Sequence, residues 1–117
     1  MAVIASTLAA VEQSFDRAVT VTWSALANGD SGSPVSLAAY SDRSIQINGT
    51  FGAGGSINIE GSLDGSNYFT LTDPQGNALT VTAGKIEAIS ELVAFIRPDV
   101  TAGDGTTALT VTLLARK

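Results

Sequence analysis

The stretch RSIQINGTFGAGGSINIEGSLDGSNYFTL, residues 43–71, decides the fold class. Successive side chains of a β-strand leave opposite faces of the sheet. Ile45, Ile47 and Phe51 therefore share one face, and Ser44, Gln46, Asn48 and Thr50 the other. After Gly52-Ala53-Gly54-Gly55 the alternation resumes, with Ile57, Ile59 and Leu63 opposed to Ser56, Asn58, Glu60 and Ser62. Two alternating runs joined by a glycine-rich tip predict a β-hairpin with one apolar and one wet face. Glu60 is the single charge on that wet face, which suits a second subunit as well as water. Gln46, Asn48 and Asn58 are its candidate contact residues.

Upstream, residues 18–25 set Val19, Val21 and Trp23 against Thr20, Thr22 and Ser24, the pattern of a strand with a buried aromatic. Asn28-Gly29-Asp30-Ser31-Gly32-Ser33-Pro34 supplies turn chemistry, and residues 35–40 are the next candidate strand. Downstream, Asp64-Gly65-Ser66-Asn67 and Asp73-Pro74-Gln75-Gly76-Asn77 are turns. They flank a strand over 68–72 whose Phe69 and Leu71 are expected to face inward, and 79–82 is a further short strand. Residues 85–92 put Ile86, Ile89 and Val93 at helical spacing, which predicts a short helix or an irregular crossover. The β-rich run over 93–97 is expected to stop at Pro98, which lacks a ladder donor. Leu109, Val111 and Leu113 alternate with Thr110 and Thr112 in a last strand.

About seven or eight short strands, with turns near every ten residues, predict an all-β fold: an antiparallel β-sandwich or jelly-roll-like domain. It would occupy residues 18–117, preceded by an N-terminal arm or short helix over 1–17. In that segment Ile4, Leu8, Val11 and Phe15 recur at helical spacing, a stripe for docking on this domain or on a neighbouring subunit. No Lys or Arg precedes its apolar part, so it reads as mature sequence rather than a secretory signal. No run approaches the roughly 18 apolar residues that span a bilayer, and no membrane partner is expected.

Composition narrows the function. The chain has 117 residues, 15% of them charged, with a net charge of −5. That balance argues against a nucleic-acid partner, which requires clustered Lys and Arg. Absent Cys and His remove thiolate chemistry, the commonest general base and the commonest zinc ligands. Gly52-Ala53-Gly54-Gly55 lies between strands, unlike a phosphate loop, and Gly84-Lys85-Ile86 lacks the hydroxyl that a P-loop sets after its Lys. Asp64, Asn67 and Asp73 offer oxygens for calcium but are also ordinary turn residues, without EF-hand spacing. Asp64 with Glu60 or Asp73 is the only pairing for glycosidase chemistry, and with 6% aromatic residues to stack sugars a solvated face is the better account of it. The expectation is a protein that is not an enzyme and has no cofactor or metal.

GSLDGSNYFTLTDPQGNALT (residues 61–80) and FIRPDVTAGDGTTALTVTLLAR (residues 95–116) resemble the capsid decoration, or cement, proteins of tailed bacteriophages, a likeness extending over about residues 43–116. The resemblance implies a structural virion protein, commonly a homotrimer. It would sit on the outer capsid surface, bind the major capsid protein and hold capsomers together. A carbohydrate-binding or host-attachment module on a phage fibre or tail is the alternative. The shared phrases mark turns, so the resemblance assigns no binding residue.

Overall fold

Threonine, valine and isoleucine alternate along three nine-residue strands, and this alternation becomes two stacked sheets. The computed structural model describes residues 2–10 and 17–117. In chain order the strands are β1 (Val3–Ile4), β2 (Ser6–Ala10), β3 (Ala18–Leu26), β4 (Ser31–Gly32), β5 (Val35–Ser36), β6 (Asp42–Thr50), β7 (Ser56–Ser62), β8 (Phe69–Thr70), β9 (Thr80–Val81), β10 (Lys85–Ala88), β11 (Phe95–Ala102) and β12 (Ala108–Arg116). An antiparallel five-stranded sheet has the order β10-β6-β12-β3-β2. A seven-stranded sheet has the order β1-β4-β11-β7-β8, with β5 also on β11 and β9 also on β7. The fold is all-β, as expected, and it is a sandwich.

The core lies between the sheets. Val19, Val21, Trp23, Ile45, Ile47, Val111 and Leu113 come from one, and Ile57, Ile59, Ile96 and Val100 from the other, all buried. Each gains about 1.5–3 kcal/mol on full burial, most of which chain entropy offsets. Trp23 joins the layers: its Nε1 donates to Ser33 O at 2.9 Å, just beyond β4. A β-bulge follows it. Leu109 pairs with Leu26 but Val111 with Trp23, so β3 holds one extra residue there. Ala25 takes a left-handed φ of 58°, and the change of phase turns Leu26 inward three residues after Trp23.

Residues 43–71 do not form the expected hairpin. β6 pairs with β10 and β12, whereas β7 pairs with β11, β8 and β9, so the glycine-rich tip is a corner between sheets. Period-2 alternation identifies a strand's buried face and is silent about its partner. Gln46 and Asn48 consequently lie on the outside of one sheet and Asn58 on the outside of the other, so no single wet face unites them.

Three further expectations change. Residues 85–88 are a strand on the edge of β6 instead of a helix, because ladder pairing outweighs a three-residue helical stripe. Pro98 lies inside β11. Val100 N–H donates to Asp30 O, and Pro98, two residues earlier, turns its donorless nitrogen to the same side, between the end of β4 and the start of β5. No ladder bond is lost there. The described N-terminal residues are likewise strands and not a helix: Ile4 pairs beside Gly32 in the seven-stranded sheet, and Leu8 opposite Val21 in the five-stranded one. Val11 and Phe15 lie outside the described residues.

Side chains fasten the corner between β6 and β7. Gly52, at φ 77°, gives the turn its left-handed step, and Gly55 N–H donates to Gly52 O at 3.3 Å. Asp104 Oδ2 accepts from Ala53 N–H at 2.8 Å, while Thr107 Oγ1 donates to Phe51 O at 2.7 Å. Hydrogen bonds from the Thr106 hydroxyl, then from the Ala53 and Thr106 amides, bring the Asp104 carboxyl down to about 2. A depressed folded pKa adds stability above the unfolded value, lost as pH falls from about 4 towards 2. Asp104→Asn is therefore expected to lower the denaturant midpoint at pH 7 and to match the parent chain near pH 2. Curves that stay parallel across that range would remove Asp104 from the acid response.

Candidate interaction surface

β7 ends in a turn built by Asp64. Its Oδ1 accepts from the amides of Ser66 and Asn67 at 2.8 and 2.9 Å and from Ser62 Oγ at 2.8 Å. The Asn67 and Ser66 amides hold this carboxyl well below the usual carboxylate range. This Asx turn takes Leu63 out of the ladder, so Leu63 is 75% exposed rather than inward as expected. Phe69 pairs opposite Gly61 and so is on the core-facing side of β8. β8 is nevertheless a two-residue edge strand beyond the cover of the other sheet, and the ring is 72% exposed.

A groove of about 350 Å³ opens here, its lining including Leu63, Phe69, Leu71 and Val93. A shallower one of about 190 Å³ continues it, shares Leu63 and Val93, and adds Leu92, which is 64% exposed. Asp64 and Glu91 also line the larger groove. Burial alone would raise Glu91, but hydrogen bonds from the Thr72 hydroxyl and amide outweigh it and lower its pKa. The result is an apolar trough beside two ionised carboxylates. Contiguous exposed apolar surface of this kind marks a contact site. Chemically it can take in apolar side chains and favour cationic neighbours.

A second concavity, of about 390 Å³, lies at the end of the five-stranded sheet beside Asp42, Arg43 and Arg116. Its charges are largely matched by near neighbours, with Arg43 Nη1 the buried group left without a hydrogen-bond partner among the described residues. Arg116 Nε meets Asp42 Oδ2 at 3.0 Å, and the buried Arg43 guanidinium donates to Tyr40 O and Leu37 O. Desolvation lowers the Arg43 pKa.

The calcium candidates are likewise occupied in their own turns, since Asp73 Oδ1 accepts from the Gln75 and Asn77 amides. Among the described residues no three His, Cys, Asp or Glu gather into a metal-binding group. Among the contact candidates, Ile4 packs against the core and Leu8 is 53% exposed at the open edge. Sequence reasoning missed Leu63, Phe69 and Leu92. The available signal was a short strand next to an Asp-Gly turn, the composition of an edge.

The outer faces of the two sheets differ in charge. On the seven-stranded sheet, Arg97 Nε meets Glu60 Oε1 at 3.0 Å, and its guanidinium sits 3.9 Å from the Tyr68 ring centroid. On the five-stranded sheet, cross-strand register aligns Thr7, Thr22, Thr112, Gln46 and Ile86 in one row. Ala9, Thr20, Leu114, Ser44 and Ala88 form the next. Neither row contains a charge.

A two-sheet all-β sandwich carrying an apolar groove at one end is thus the class that fold and surface define. The chain is similar in structure to the SPBc2 prophage-derived protein YomS, with a TM-score of 0.65, over 91% of this chain and 100% of that one. Identity is 10%, so the likeness speaks for the fold. No protein-family model and no curated protein matches the sequence.

Proposed function

We propose that this chain is a structural protein of a tailed-phage particle that binds the outer capsid surface and strengthens contacts between capsomers. The observation that carries the proposal is the groove of Leu63, Phe69 and Val93, continued by Leu92, at one end of the sandwich. Large apolar side chains left in water forgo the stabilisation of burial and gain it when a partner covers them. The fold shared with a prophage-derived protein supports a phage setting, and the phage decoration resemblance supplies the capsid as partner. The mechanism is mechanical: interface area repeated at many equivalent lattice positions raises the work of separating capsomers.

Purified protein is expected to raise the disruption temperature of its cognate expanded capsid. Phe69→Ser should weaken binding about thirtyfold, corresponding to the ~2 kcal/mol of a buried aromatic anchor. Saturating binding with no gain in capsid stability would sink the cement role. Glycan binding without affinity for capsids would instead favour host attachment.

A further inference from the structure

We infer that the outer face of the five-stranded sheet pairs two copies of this chain about a two-fold axis. A protein surface is usually about a quarter to a third charged, so the ten residues of the two central rows would ordinarily hold about three charges. They hold none. The outward charges on these strands are Asp42 and Arg116, which neutralise one another at 3.0 Å at one end of the face. Lys85 and Glu87 pair opposite Ile47 and Ile45 and so belong to the other side of the sheet.

The net charge of −5 makes two copies repel, except where they meet through a face without an unpaired carboxylate. Among the described residues, this face is such a place. The seven-stranded sheet, which has Asp99 on its outward side in addition to the paired Glu60 and Arg97, is not.

Area gives the second argument. The sheet contains 36 strand residues. At about 3.4 Å rise and 4.8 Å strand spacing they present roughly 600 Å² a side, about 1,200 Å² for a pair, the threshold of specific interfaces. Ile86 and Leu114, 68% and 41% exposed, are the apolar anchors. Short threonine side chains let two such faces approach, and Gln46, Ile86, Thr112 and Leu114 line a concavity of about 200 Å³ on this one. The occupant is therefore a second copy, joined as a two-fold pair rather than in the homotrimer that the phage resemblance implies. The pairing does not depend on capsid binding, because the groove lies outside this face.

Sedimentation velocity of the full chain between about 5 and 200 μM should show a concentration-dependent dimer, as a threshold-sized interface gives. Thr112→Lys, at the centre of the face, should return it to monomer with an unchanged melting temperature, while Phe69→Ser leaves the dimer intact. In the unaltered chain, methyl signals of Ile86 and Leu114 should shift with concentration, a readout that needs no variant. A monomer at 200 μM, a trimer, a dimer indifferent to Thr112→Lys, or concentration shifts confined to other residues would each overturn the proposal.

Discussion

Trp23→Ala is expected to lower the free energy of unfolding by about 3–5 kcal/mol, the range for a fully buried large aromatic. The indole is 0% exposed, hydrogen-bonds Ser33 O across the sandwich and packs close to Gly32 of the other sheet. Gly32 marks that approach: a Cβ there would lie 2.5 Å from Pro98 Cδ and 2.7 Å from Trp23 Cδ1. Gly32→Ala is therefore destabilising by itself, by about 1–3 kcal/mol of overpacking. In a Trp23→Phe background part of that cost should vanish, so the two substitutions are non-additive. Denaturant titrations followed by far-ultraviolet circular dichroism measure both effects. A loss below about 1 kcal/mol for Trp23→Ala would mean that the indole does not bridge the layers.

The second large effect concerns topology. Replacing residues 51–55 with Asn-Gly, the preferred two-residue hairpin turn, should abolish cooperative unfolding and collapse amide dispersion in NMR spectra. A two-residue turn holds its flanking strands about 4.8 Å apart, whereas stacked sheets are about 10 Å apart. β6 and β7 belong to different sheets, so the short turn pulls each away from its partners. A folded variant with native-like spectra would instead mean that the two strands pair as a hairpin.

The same contrast separates what was legible in the residues from what was not. Alternation located β3, β6, β7 and β12 and identified the inward sides of Val19, Trp23, Ile45, Ile57 and Val111, because the strand period is local geometry. Turn chemistry was legible too. Asp64 and Asp73 each accept the amides two or more residues ahead, as short side chains at turns do. Phe69 and Leu8 show the limit. Each pairs opposite a buried position, Gly61 and Val21, and so lies on the core-facing side, yet both are exposed. Parity assigns a side; whether the other sheet extends far enough to cover that side is a property of the whole fold.

The segment over residues 43–71 thus contains the two alternating strands and the glycine-rich turn that its pattern predicts, but not the hairpin pairing. Its extended backbone, the side of the strand each residue takes and the places where the chain turns follow from side-chain geometry within a few residues and are written in the residues themselves. That the corner passes between sheets, that Gln46 and Asn58 look out on opposite sides, and that Leu63 and Phe69 are left in water depends on the assembled fold. Strand partners and cover come from residues far away in the chain, such as Thr112 beside Gln46 and Arg97 beside Glu60. Period-2 alternation contains no term for them.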